Sequence, residues 1–203
     1  MNLIVFGDST ANEIIPVAKV CFGDRLEHVR RVFFDAESDV GQENLQWIKQ
    51  HSQVHYICGI VDIKLRMQVQ EFASQHGLLP ISVIDPTAVV AQSATVGKGC
   101  FIAAYAVISE NATVGDFSIV HFHCSIGHDA KLGKNCTVLP GARVSGDVKF
   151  GDGVLLGSNS FVFQGVTIGS FTQVDALTYV RRDLPSNVLH SCFLDKPIPR
   201  TDQ

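Results

Sequence analysis

The chain has 203 residues and a formal net charge of −4, with 16 Lys and Arg against 20 Asp and Glu. That length holds one large domain or two small ones, and the acidic balance argues against a nucleic-acid partner. No apolar run reaches the ~18 residues that a membrane span requires. The opening residues MNLIVFGDST lack a basic segment and a long apolar core, so no signal peptide and a cytoplasmic location are expected.

Residues 2–7 (NLIVFG) read as a buried strand that ends in a turn. Asp8 and Ser9 can cap a helix running to about Val20, with Pro16 inside it. Residues 31–34 (RVFF) read as a second strand ending at Asp35, and residues 42–51 have a helical pattern. Residues 54–60 (VHYICGI) suggest a third strand, and residues 63–76 a helix closed by Gly77. Strands alternating with helices predict a small Rossmann-like α/β domain over residues 1–80.

From residue 84 to residue 180 every sixth position is aliphatic or Phe, beginning Ile84, Val90, Val96 and ending Ile168, Val174, Val180. Four residues after each of these comes a small or β-branched side chain, such as Ala88, Ala94, Cys100, Ala106 and Thr178. A period of six fits neither a helix nor an ordinary sheet. It fits a solenoid in which each hexapeptide makes one short strand and one turn, and three hexapeptides close a triangular coil. The large aliphatic then points inward, the small residue packs where the wall bends, and the Gly that often follows the aliphatic relieves the turn. This is the hexapeptide signature of the left-handed parallel β-helix, expected over residues 81–183, with a C-terminal tail over 184–203 lying along the outside of a coil or a neighbouring subunit.

Cys100, Cys124 and Cys136 fall in the small inward slot, and Cys21, Cys58 and Cys192 show no metal-ligand spacing, so neither zinc nor disulfides are expected. The anomaly within the repeat is residues 120–129, VHFHCSIGHD, which hold His121, His123 and His128. In register, His121 takes a slot usually filled by a small residue, while His128 and Asp129 occupy the outward positions after Ile126 and Gly127. An outward imidazole beside a carboxylate can serve as a general base, and it can equally be a solvated turn. Cys124 is a poor nucleophile, because its slot points inward, where a thiolate is costly.

An α/β domain followed by hexapeptide coils with an outward His-Asp pair resembles the NeuD/PglD-type sugar acyltransferase family. These are bacterial nucleotide-sugar N-acetyltransferases and related sialic-acid O-acetyltransferases. Residues 121–133, HFHCSIGHDAKLG, match the family's base-bearing segment, with His121 replacing the usual Asn; residues 140–151 and 156–169 also look like family coils. The resemblance implies His128 as base with Asp129 as its acidic partner, and acetyl-CoA as donor, held near Gly146 and Ala176 in a groove between subunits of a homotrimer. It implies no metal cofactor. It also implies that the acceptor contacts Asp8, Ser9, Asp35 and His121, and that direct transfer goes to an amino or hydroxyl group of a sugar, a nucleotide-linked amino sugar in bacterial surface-glycan biosynthesis. Gly146 lies one eighteen-residue coil after His128 and is expected beside it as an oxyanion donor.

The sequence departs from the family at the first turn, where Gly7-Asp8-Ser9-Thr10 replaces a Gly- and His-rich motif. It departs again at Thr137, where some members place a second His, and in the terminal coil, where Asp175 and Leu177 replace Gly. These departures leave the acceptor open. They support an alternative in which the chain is a non-catalytic β-helix scaffold or carbohydrate-binding trimer. A metal enzyme built on the three histidines is a further alternative.

Overall fold

The structure is a computed structural model that describes residues 1–7, 9–34, 40–194 and 196–200. It divides into two compact units, Met1–Pro86 and Thr87–Gln203.

The first unit is a parallel four-stranded sheet with the order β2-β1-β3-β4, comprising β1 (Asn2–Phe6), β2 (His28–Val32), β3 (Val54–Cys58) and β4 (Leu79–Pro80). Three helices connect the strands: α1 (Ser9–Phe22), α2 (Gln42–Gln50) and α3 (Ile63–Gln75). The central strand β1 is buried along its whole length, as a strand covered on both faces must be. Phe6 packs edge-on against Tyr56 and Phe72, and Ala11, Ile14 and Ala18 bury the inner face of α1, which runs through Pro16 without ending. Asp62 caps α3 by accepting a hydrogen bond from the Leu65 N–H (2.8 Å). Arg66 on α3 is fully buried and donates to the carbonyls of Ile60 (2.8 Å) and Val61 (3.1 Å), which fixes the turn after β3.

The second strand lies earlier than residues 31–34. His28–Val32 pairs residue for residue with Asn2–Phe6, while Phe33 and Phe34 follow the strand. The reason is that β2 is an edge strand: Arg30 bonds Asn44 and Arg31 bonds Asn12, and both arginines stay partly exposed, so charge does not exclude these residues from the sheet.

The second unit is a parallel β-solenoid of about six turns. One wall stacks the two-residue strands that begin at Val89, Val107, Ser125, Arg143, Phe161 and Tyr179. The next stacks those beginning at Thr95, Thr113, Lys131, Lys149 and Thr167, and the third those beginning at Phe101, Ile119, Thr137, Leu155 and Gln173. Partners are eighteen residues apart, as in Ile126 against Ile108 and Val144. The aliphatics from Ile102 to Val180 are buried, and so are Cys100, Cys124 and Cys136 at 0, 1 and 0 % exposure. The solenoid does not stop at Val180. Leu184 bridges to Ile168, Val188–His190 pairs in parallel with Gln173–Val174, and Ile198–Pro199 turns back antiparallel.

The glycines also work differently from the expectation. The turn residue with positive φ comes three positions after each aliphatic, at every sixth residue from Gly99 through Tyr105, Asn111, Asp129 and Asp147 to Leu177. Asn, Asp and Gly recur there because they tolerate the left-handed region best. The Gly directly after the aliphatic serves coil stacking instead. A Cβ on Gly127 would lie 2.5 Å from the backbone carbon of Ser145 in the next coil.

Candidate active site

His128 and Asp129 stand on the edge where the wall containing Ser125–Ile126 turns into the wall containing Lys131–Leu132. Ile126 buries itself completely beneath this turn and so sets its orientation. Asp129 takes φ +59°, and its N–H donates to the Glu110 carbonyl of the preceding coil (2.9 Å). The His128 carbonyl accepts in turn from the Asp147 N–H of the following coil (2.9 Å). Main-chain bonds to both neighbouring coils therefore hold the turn, while its side chains stay open, at 54 % exposure for His128 and 47 % for Asp129.

The adjacent pair is in contact. His128 Nδ1 lies 2.9 Å from Asp129 Oδ2, and Asn111 Nδ2 donates to the other carboxylate oxygen, Oδ1 (3.1 Å). These two hydrogen bonds, His128 first and Asn111 second, hold the Asp129 carboxyl below the usual carboxylate range. The carboxylate thus stays charged near neutrality and engages Nδ1, which leaves Nε2 as the ring nitrogen available for proton transfer.

Nε2 faces Gly146, as the eighteen-residue spacing predicts. A Cβ added to Gly146 would lie 2.5 Å from His128 Cε1 and closer still to Nε2, so only glycine leaves the imidazole its place. Gly146 is buried, and its N–H donates to no described residue, so that one backbone donor beside the imidazole remains unused. The same edge carries Asp147, whose Oδ2 accepts from Gln164 Nε2 (3.0 Å). His128, Asp129 and Asp147 offer ligand atoms within 4.8 Å of one another.

The remaining candidate residues lie elsewhere. His121 and Ala176 sit on a different edge of the solenoid, between the walls of Val120 and Ser125 and of Val174 and Tyr179. His121 is 5 % exposed, with its ring edge-on to Phe122, whereas the exposed His123 stacks on Tyr105 with ring centres 5.2 Å apart. The three histidines of residues 120–129 are therefore split between two edges and do not converge. Thr137 is buried on the third wall. Cys124 is also buried, and burial pushes its thiol up to about 12 while its S–H donates to the Leu139 carbonyl (3.1 Å). It is no nucleophile as it stands.

In the first unit a cleft of about 450 Å³ opens at the carboxyl ends of β1, β2 and β3, lined by Ser9, Thr10, Phe33, Phe34, Gly59 and Ile60 among others. The sheet order changes direction between β1 and β3, the place where open parallel sheets bind ligands. Gly7 and Gly59 are packed backbone to backbone at its floor, where a Cβ on Gly7 (φ +126°) would lie 2.9 Å from the Gly59 carbonyl oxygen. Ser9 lines the cleft. Asp8 and Asp35 lie outside the described residues. Phe33 and Phe34 escaped the sequence reading because an apolar pair after Arg-Val looks like strand; their signal is that they follow the edge strand rather than complete it.

Residues 147–180 match the family model for the hexapeptide repeat of succinyl-transferase. A GDP-perosamine N-acetyltransferase of Escherichia coli O157:H7 is 28 % identical over 112 residues, 55 % of this chain and 51 % of that protein, so the chain matches about half the length of this curated relative. Among solved structures, perosamine N-acetyltransferase from Caulobacter crescentus, in complex with CoA and GDP-perosamine and carrying a His-to-Asn mutation, superposes with a TM-score of 0.87. It is 28 % identical, with 98 % of this chain and 97 % of that one covered. The acetyltransferase domain of PglB from Neisseria gonorrhoeae FA1090 in complex with acetyl coenzyme A has a TM-score of 0.83 at 24 % identity, covering 97 % and 98 % of the two chains, a likeness of fold.

Proposed function

We propose that this chain, which is similar to the hexapeptide-repeat sugar acyltransferases, transfers an acetyl group from acetyl-CoA to an amino or hydroxyl group of a sugar, in the first instance a nucleotide-linked amino sugar. The observation that carries this reading is the arrangement around His128: Nδ1 on a charged carboxylate, Nε2 against a glycine with a free N–H.

The steps follow from that geometry. His128 Nε2 takes the proton from the acceptor as the acceptor attacks the thioester carbonyl. Asp129 orients the ring and stabilises the imidazolium that forms. The Gly146 N–H donates to the carbonyl oxygen as it gains negative charge. The tetrahedral intermediate collapses with loss of the thiolate, which recovers the proton from His128. No acyl-enzyme is needed, which agrees with the burial of Cys124.

The acceptor is assigned to the cleft of the first unit, with Ser9 at its lining; the family resemblance adds Asp8 and Asp35 as acceptor contacts. The parallel order β2-β1-β3-β4 supports a Rossmann-like reading of that unit, and the hexapeptide period supports left-handed winding of the second. Ala176 is assigned to the donor and His121 to the acceptor, both on a second edge of the solenoid. A homotrimer is supported by the solenoid wall that exposes Val89, Val107 and Tyr179. Surface-glycan biosynthesis in the cytoplasm is the setting this substrate class suggests.

The test is CoA release from acetyl-CoA with a panel of amino-sugar nucleotides, beginning with GDP-perosamine, for the wild type and His128→Ala. Turnover that vanishes in the variant while size and melting temperature are kept supports the reading. A His128→Ala protein of full activity sinks it.

A further inference from the structure

Resting on His128 as the base, we propose that Asp147 makes the site selective for an amine over a hydroxyl acceptor. Asp147 lies one coil beyond Asp129 on the same edge, and the two carboxylates are used differently. Both oxygens of Asp129 are taken, by His128 and by Asn111. Asp147 accepts from Gln164 through Oδ2 alone, and its Oδ1 accepts from no described residue. The Asp147 N–H is bonded to the His128 carbonyl, and its φ is +60°. The side chain is thus anchored at its backbone by His128 and at its tip by Gln164, with one carboxylate oxygen left without a donor among the described residues. A carboxylate oxygen of Asp147 lies within 4.8 Å of a His128 ring nitrogen, so an acceptor at the base meets this carboxylate.

The charge at that point separates the two acceptor classes. An amine attacks with its lone pair: the N–C bond forms, the carbonyl π electrons move to oxygen, and the nitrogen is positively charged until Nε2 takes a proton. The C–S bond then breaks, the thiolate takes that proton from the imidazolium, and an amide and a thiol result. A hydroxyl has to shed its proton to become nucleophilic, so its oxygen gathers negative charge instead. A fixed carboxylate within hydrogen-bond reach stabilises the first transition state and opposes the second. Asp129, both of whose oxygens are already engaged, cannot make this distinction.

Asp147→Asn keeps the size, an oxygen for Gln164 and a residue at ease with positive φ. Wild type, Asp147→Asn and His128→Ala are to be compared by CoA release with acetyl-CoA and two acceptors: GDP-perosamine, and the same GDP-sugar with hydroxyl in place of the amine. The expected result is a roughly tenfold fall in kcat/KM for the amine in Asp147→Asn, as for a lost charge-assisted hydrogen bond at an open site. The ratio of amine to hydroxyl kcat/KM falls with it, and the melting temperature is unchanged. Equal losses on both acceptors, or no loss on the amine, with His128→Ala inactive, overturn the role of Asp147 and leave the base in place. An active His128→Ala, or a wild type that uses neither acceptor, overturns both together.

Discussion

Replacing Gly146 with alanine puts one methyl group where His128 lies. The new Cβ would be 2.5 Å from His128 Cε1, against the ~3.5–4.0 Å at which carbon atoms rest. The imidazole therefore has to retreat by about 1 Å. It can do so, because the ring is a half-exposed side chain on an open edge. The retreat costs the fold little but disturbs the 2.9 Å contact with Asp129 and moves Nε2 away from the Gly146 N–H. A misplacement of this size lowers turnover by about 10²-fold. The expected outcome for Gly146→Ala is a melting temperature near wild type with kcat for CoA release down roughly a hundredfold. Gly127→Ala is the control, since its Cβ would meet the Ser145 backbone at 2.5 Å, which cannot step aside, so this variant loses stability. A Gly146→Ala enzyme with wild-type kcat would refute the placement of catalysis at this edge.

Three further outcomes follow from the same structure. In the native protein an aromatic disulfide reagent labels the exposed Cys192 quickly, while Cys58, Cys100, Cys124 and Cys136 react only after unfolding, and Cys124→Ser retains acetyl transfer; fast labelling of Cys124 would contradict its burial. The Asp129 carboxyl is held below its ordinary value, so what its ionisation contributes is present above the unfolded pKa of about 3.9 and is lost as the pH falls through the lowered folded value. The melting-temperature advantage of wild type over Asp129→Asn therefore survives acidification to about pH 5 and disappears only below about pH 4; its disappearance near pH 6 would show another group at work. Ile126→Ala empties the core beneath the His128 turn and costs about 2–5 kcal/mol by chemical denaturation, with loss of turnover even where the solenoid survives.

The solenoid was open to reading because its period is independent of context. An inward aliphatic every six residues has one geometric solution, and the same count that buries Cys124 turns His128 outward and sets Gly146 beside it. What sequence could not supply were contacts across that count. The bond from Asn111 to Asp129 and the anchoring of Asp147 by Gln164 join residues 18 and 17 positions apart, and each residue alone reads as an ordinary turn. The role of the turn glycines is hidden for a related reason, since Gly127 answers to a backbone in the next coil that local propensity does not see. In the first unit the error had a different origin. The edge strand β2 tolerates Arg30 and Arg31, so hydrophobicity alone points three residues too far along and reads the aromatic rim of the cleft as strand.

The stacking of identical coils also separates folding from chemistry along the chain. Removing residues 130–147 as a block would join Asp129 to Val148 and leave every inward position inward, with Lys149 succeeding Lys131 on its wall. The neighbour of His128 would then be Gln164 instead of Gly146. A lineage of such proteins can therefore lengthen or shorten its solenoid by whole coils at little structural cost, yet each such step passes through a different active-site edge. Coil number is free to drift away from the base and constrained beside it.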